Sequence, residues 1–198
     1  MKFVGPTEFQ ANFLILINKS LECGVPKLQF LALTKVPMII KQIEYGTVKQ
    51  AILPRMLMLL EQPSQIQIKR KTLEVLFEVI NAIDSQTMKD KILKSFEKIR
   101  ATETDPQVCM MLLKIYEQMA RVLGVEEIGL KILPGIIPML ISGTFTRAQF
   151  TDMMSTIRRL LDQIEKHKEK DLREMGQEQP DANFDMEALE KSLGIHKT

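Results

Sequence analysis

Apolar residues along this chain recur in steps of three and four, and the pattern returns every 40 residues. Leu33, Val36, Ile40 and Ile43 form one series, followed by Leu73, Leu76, Ile80 and Ile83, and then by Leu113, Tyr116, Ala120 and Leu123. Steps of this size place each series on one stripe of an α-helix. A second series alternates with the first: Val48, Ile52, Met56 and Leu59, then Met88, Ile92, Phe96 and Ile99, then Ile128, Ile132, Ile136 and Met139. The wording echoes at the same interval, in Thr7-Glu-Phe-Gln-Ala-Asn-Phe-Leu, Thr47-Val-Lys-Gln-Ala-Ile-Leu-Pro, Thr87-Met-Lys-Asp-Lys-Ile-Leu-Lys and Glu127-Ile-Gly-Leu-Lys-Ile-Leu-Pro. The pattern predicts an all-α fold, an α-solenoid of antiparallel helix pairs, one A helix and one B helix per unit.

The punctuation between the stripes fits this register. Tyr45-Gly46-Thr47 supplies a permissive glycine to end one helix and a threonine to cap the next. Asp84-Ser85 offers cap oxygens, Gly124 is placed to stop a helix, and Gln62-Pro63-Ser64 and Thr104-Asp105-Pro106 break the chain between units. Pro54 and Pro134 fall at matching points of two B helices and Pro37 inside an A helix, where a missing N–H favours a kink. Kinked helices of this kind suit a curved HEAT-like stack better than a straight bundle. One helix pair buries too little apolar surface to offset the entropy of ordering 40 residues, so neighbouring units must cover its second face.

The ends set the expected domain limits. Thr7 to Leu21 reads as a lone B helix packed through Phe13 and Leu16, which leaves an unpaired N-terminal repeat open to dimerisation and leads us to expect more chain before Met1. Phe145 to His167 reads as a last A helix with Met153, Ile157, Leu160 and Ile164 inward. The next B register would open at His167, where the sequence is almost wholly charged. The HEAT-like array is therefore expected over residues 1–172, with a flexible charged tail over 173–198 and a short amphipathic helix within it at 185–193.

Composition narrows the function classes. Of 198 residues 45% are hydrophobic and 26% charged, no Trp is present, and the net charge of +2 gives no general attraction for nucleic acid. Cys23 and Cys109 stand far apart, with no CxxC, and read as two reduced packing thiols. No signal peptide or stretch of about 20 apolar residues occurs. His167 and His196, the only histidines, lie in the polar tail without ligand spacing, and no P-loop, GxGxxG, GxSxG or HExxH is present. The chain is expected to be no enzyme, with no catalytic residue, metal or cofactor. The sharpest charge feature is Lys69-Arg70-Lys71, a candidate contact for an acidic partner or an acidic membrane surface.

Two stretches go further than periodicity. Ile39-Ile-Lys-Gln-Ile-Glu-Tyr-Gly-Thr-Val-Lys-Gln-Ala-Ile-Leu-Pro-Arg and Lys131-Ile-Leu-Pro-Gly-Ile-Ile-Pro-Met-Leu resemble the HEAT region of the SCY-like pseudokinases. Phe150-Thr-Asp-Met-Met-Ser-Thr-Ile-Arg-Arg-Leu-Leu-Asp-Gln-Ile-Glu resembles the helix that closes that region in the coated-vesicle-associated branch. The likeness runs from about Phe3 to Leu172. It implies a non-catalytic interaction scaffold in clathrin or Golgi vesicle traffic, with coat or adaptor proteins as partners. It also implies a cytoplasmic location, peripheral on Golgi, endosomal or coated-vesicle membranes. The kinase-like motifs of that family, His-Arg-Asp, Asp-Phe-Gly and a glycine-rich loop, have no counterpart here. The alternative is a helical-repeat nucleic-acid-binding module, which would need a base-reading residue at a fixed offset in every unit. The outward offsets carry no such set, so nucleic acid is not the expected partner.

Overall fold

The computed structural model describes residues 6–62, 65–100, 103–142 and 144–178. Among them every regular element is helical and none is a strand. We number eight helices: α1 (Pro6–Glu22), α2 (Pro26–Ile40), α3 (Tyr45–Thr47, Val48–Ile52 and Leu53–Glu61), α4 (Ile66–Val79, closed by a 3-10 turn at Ile80–Ala82), α5 (Ser85–Thr87, Met88–Ile92 and Leu93–Arg100), α6 (Pro106–Ala120), α7 (Val125–Glu127, Ile128–Ile132 and Leu133–Ile136, resumed at Met139–Ser142) and α8 (Arg147–Glu178). Contacts run between sequence neighbours and between alternate helices, so α1, α3, α5 and α7 form one layer and α2, α4, α6 and α8 the other. This is a helical-repeat fold, with its core between the layers.

The predicted stripes are the core. Leu33, Val36, Leu73, Leu76, Ile80, Leu113, Tyr116 and Ala120 are buried in the even-numbered helices and Ile83 and Leu123 just beyond their ends, while Ile40 and Ile43 are half-buried against the same core. All twelve residues of the B stripes, from Val48 to Met139, are buried. The first helix departs from its reading. Ile17 and Leu21 turn inward, Phe13 is half-buried, and Leu16 is 58% exposed. Met56, Phe96 and Ile136, at the corresponding places of α3, α5 and α7, are at most 1% exposed. Leu16 differs because, among the described residues, no helix stands before α1 to cover it.

Helices α3, α5 and α7 each contain a π turn, starting at Val48, Met88 and Ile128. Val48, Ile52 and Met56 are separated by two steps of four, each of which overshoots a full α-helical turn by about 40°. The i→i+5 turn underwinds the helix and keeps these three buried residues closer to one line. Proline is not the cause, because the middle helix has Lys94 where the others have Pro54 and Pro134 and still makes the turn.

The prolines instead free carbonyls that the next or preceding repeat satisfies. Leu53 donates to the Val48 carbonyl, so the following carbonyl, that of Lys49, faces Pro54, which has no N–H. Lys91 Nζ of α5 donates to it at 3.1 Å. The Pro134 carbonyl faces Pro138 in the same way and accepts from the Arg100 guanidinium of α5. Pro37 is absorbed within α2 without ending it.

Three junction readings need correcting. Gly46 and Thr47 lie in the first turn of α3, the break having come earlier, and Glu44 precedes that turn without a side-chain cap bond. Gly124 acts as the N-cap residue of α7, with extended backbone, rather than as a stop. The left-handed conformation appears at Gly24 (φ 67°), where the chain turns from α1 into α2. Gln29 closes that corner by donating to the Leu21 carbonyl at 3.2 Å. Residues 63–64 and the tail beyond 178 lie outside the described residues, which includes the helix expected at 185–193. Helix α8 itself runs unbroken across residue 172 to Glu178.

Tyr116 joins three helices. Its ring meets Phe96 edge to face at 5.3 Å and 83°, and its hydroxyl rests on Gly135, where a Cβ would lie 2.6 Å from the oxygen. Gly135→Ala therefore overpacks the core and is expected to lose about 1–3 kcal/mol in urea unfolding. Gly46→Ala, whose Cβ meets nothing within 4 Å in the first turn of α3, is expected to hold or raise stability in the same measurement.

A candidate interaction surface

The basic cluster at the start of α4 is drawn into the fold. Lys69 Nζ lies 2.9 Å from Glu103 Oε2, with both side chains largely buried. Arg70 grips Asp105 with two nitrogens, Nη2 to Oδ2 at 2.6 Å and Nε to Oδ1 at 3.3 Å. Lys71 Nζ pairs with Glu74 at 3.2 Å and stands 5.8 Å above the Phe30 ring of α2. All three charges thus meet acids of the chain itself.

Those acids also begin the next helix. Asp105 is the N-cap of α6, and its Oδ1 accepts from the amides of Gln107 at 3.1 Å and Val108 at 3.0 Å. Glu103 Oε1 accepts from the amides of Thr104 and Asp105. Burial pushes the Asp105 carboxyl up, but the Arg70 guanidinium and the two amides outweigh it and hold it below its ordinary value. One carboxylate therefore caps a helix and clamps it to the preceding repeat.

The B layer uses the same device. Asp84 caps α5 by accepting from the Thr87 amide at 2.7 Å, while the Tyr45 hydroxyl of α3 donates to its carboxylate and Lys49 Nζ stands 3.4 Å away. The Asp84 amide donates back to the Tyr45 oxygen at 3.0 Å. The Tyr45 hydroxyl first, then the Thr87 amide and hydroxyl, hold this carboxyl well below the usual carboxylate range. In the first turn of α7, Glu127 pairs with Lys89 of α5, whose ammonium lowers its pKa. Further along the B helices the polarity reverses, with Glu22, Glu61 and Glu97 each pairing to a base of the following repeat: Arg55, Lys98 and Lys131.

The cysteines divide. Cys109 is buried in α6, and burial, with Glu103 and Asp105 nearby, pushes its thiol up to about 11, so it is a packing group. Cys23 is exposed, contrary to the packing role read from the sequence, and donates to the Ser20 carbonyl. No group of three His, Cys, Asp or Glu side chains among the described residues is placed to hold a metal ion. No helix among them is long and apolar enough to cross a membrane.

What sequence reasoning passed over is the outer face of α2. Leu28, Leu31 and Met38 are about half exposed, follow one another in helical steps with Lys35 between them, and continue into exposed Val25. The signal was present, since the spacing 28, 31, 35, 38 draws a second stripe beside the buried one at Gln29, Ala32, Leu33, Val36 and Ile39. Attention to the inward stripe and to the basic cluster hid it.

Linkage fixes the acid response of the clamps. Asp84 and Asp105 have folded pKa values below the ordinary 3.8, so near that pH the fold binds fewer protons than the unfolded chain. Their stabilisation is complete above 3.8 and is lost as pH falls through the folded values. Urea midpoints are expected to drop steeply below pH 4, and Asp105→Asn to flatten that fall. At neutral pH Asp105→Ala is expected to cost about 1–2 kcal/mol through the lost cap alone.

Comparison with known proteins follows the same lines as the sequence. The chain is 29% identical over 170 residues to human SCY1-like protein 2, which covers 83% of this chain and 18% of the human protein. The mouse protein of the same name is 27% identical over 164 residues, covering 81% of this chain and 17% of that one. The Saccharomyces cerevisiae protein kinase-like protein SCY1 is 26% identical over 140 residues, covering 68% of this chain and 17% of that protein. The chain thus spans less than a fifth of the length of these relatives. No protein-family model and no solved structure matches it. The homologues of this all-helical array are SCY1-like proteins.

Proposed function

We propose that the chain is a HEAT-like, non-catalytic interaction scaffold, the helical-repeat portion of a SCY-like pseudokinase of the coated-vesicle branch, recruiting coat or adaptor proteins in clathrin or Golgi traffic. The observation that carries the scaffold reading is the stripe on α2. Val25, Leu28, Leu31 and Met38 remain in water although the core immediately beneath them is closed, and apolar side chains grouped in this way mark a contact surface. The SCY1-like relatives support the kinase-like parentage. Lys69 and Arg70 serve the inter-repeat clamp in this reading. Lys71, paired with Glu74 on its own helix and standing over Phe30, is the member of the cluster that takes no part in the clamp.

The test is capture from cytosol and coated-vesicle extract with residues 1–198 as bait, probed for clathrin heavy chain, adaptor and coatomer subunits. Leu28→Ser/Leu31→Ser/Met38→Ser is expected to abolish the enrichment while keeping helix content and the urea midpoint, because the residues are already half exposed. Retention of mixed RNA in place of coat proteins would instead favour the nucleic-acid module. Charge reversal at Lys69 and Arg70 would be a poor probe, since it would set like charges against Glu103 and Asp105 and undo the clamp.

A further inference from the structure

The outer stripe of α2 occupies a place that the following repeats close with a helix. Leu28, Leu31, Lys35 and Met38 stand 40 residues before Ile68, Lys71, Val75 and Glu78 of α4. That side of α4 packs on α2. Ile68 shares a cleft with Pro26 and Phe30, Lys71 stands over the Phe30 ring, and Glu78 shares a second cleft with Pro37 and Ile40. Ile68 and Val75, at the centre of this contact, are at most 2% exposed, and Val108 and Ile115 at the same places of α6 are fully buried. The stripe on α2 thus has the form of a seat for one more helix, and among the described residues nothing fills it.

The chemistry of that seat differs from the later ones. Lys35 stands where α4 has Val75 and α6 has Ile115, so an ammonium replaces an aliphatic group at the centre. Apolar Leu31 and Met38 stand where α4 has the charged Lys71 and Glu78 at the edge. Residues 23–43 hold Lys27, Lys35 and Lys41 and no acid, three positive charges against +2 for the entire chain. Each of the three is exposed, and among the described residues none has a carboxylate partner. The bases at the repeat joints, by contrast, meet Asp84, Glu103, Asp105 or Glu127. A helix that covered α2 as α2 covers α4 would bury the Lys35 ammonium, and a buried charge is tolerated only against an opposite one.

We propose that this seat takes an amphipathic helix of a partner protein, with apolar side chains on Leu28, Leu31 and Met38 and an Asp or Glu set into the same stripe against Lys35. The inference rests on the reading above that the α2 stripe is the contact surface, and it adds the chemistry of what lies there. A second copy of α2 would not serve, because it brings another Lys35 and no carboxylate. An acidic bilayer is the poorer fit, because a helix lying in a membrane surface carries its lysines on the polar face, whereas Lys35 interrupts the apolar stripe itself. The carboxylate gives the site its selectivity, since a helix with a neutral or basic residue there would leave Lys35 buried without a partner.

Panning a displayed library against the full 198-residue chain tests the proposal. The probe is a helical peptide of the length of α2, with Leu along one stripe, one central stripe position drawn equally from Glu, Gln and Lys, and Ala and Gln elsewhere. Retained peptides are expected to carry Glu over Lys at that position by about tenfold or more, Lys35→Glu to invert the preference, and Leu28→Ser/Leu31→Ser to retain none. The substituted side chains are exposed, so urea midpoints are expected to stay at the unsubstituted value. An equal or opposite preference, a pool that Lys35→Glu leaves unchanged, or no retained peptide would overturn the proposal. So would a dimer in sedimentation that Leu28→Ser/Leu31→Ser dissociates, or binding to phosphatidylcholine vesicles with about 30% phosphatidylserine that the same pair abolishes. Coat subunits captured through Leu28, Leu31 and Met38 equally well with Lys35→Glu would keep the scaffold reading and overturn this one. A Lys35-dependent acidic pool without coat capture would keep this one and overturn the coat reading.

Discussion

Coverage by the neighbouring repeat is the constraint on which this structure rests. A helix pair of some 40 residues buries one face between its own helices and leaves the other to whatever comes next. Leu16 shows the effect within one chain, being largely in water where Met56, Phe96 and Ile136 are sealed. The side chain is no less apolar; what it lacks, among the described residues, is the neighbouring helix that covers the other three. Stability is therefore a property of interfaces between repeats more than of the repeats themselves. The contact of Tyr116 with Phe96 and Gly135, which spans three helices, is a local instance.

Electrostatics adds register to that packing. An apolar face tolerates sliding, whereas Asp105 must meet Arg70 and two amides at once, and Asp84 must meet Tyr45 and the Thr87 amide. Exposed ion pairs contribute little by themselves, commonly below about 1 kcal/mol. Here each acid also satisfies amides at a helix start that would otherwise lack partners, so clamp and cap support each other. Basic side chains do the complementary work at the carbonyls that Pro54 and Pro138 leave open, through Lys91 and Arg100. Helix breakers are tolerated because the adjoining repeat supplies what they lack.

Most of the core was legible because burial on a helix leaves a period, and the B stripes from Val48 to Met139 are buried at every predicted position. The π turns were not legible, since the same steps of four stay buried in the regular α-helix of Val108, Leu112, Tyr116 and Ala120. Tertiary partners were not legible. Nothing local distinguishes Lys69 and Arg70 as clamp residues from the same residues as a free cluster, because Glu103 and Asp105 lie more than thirty positions away. Leu16 failed for the related reason that periodicity names a face without saying whether anything covers it.

These constraints separate folding from recognition on the surface of the molecule. Where a side chain joins two repeats, as with Arg70, Asp105 or Tyr45, any change that alters a partner's access also alters the fold, and a binding defect there has two causes that cannot be told apart. The outer stripe of α2 is different. Leu28, Leu31 and Met38 carry no inter-repeat bond, and the core below them is complete without them. Apolar side chains kept in water give up the free energy that burial would supply, about 1.5–3 kcal/mol for a Leu or Met. In an array whose interior already uses its apolar stripes so fully, a partner of the kind proposed would gain affinity on this outer stripe without disturbing the fold.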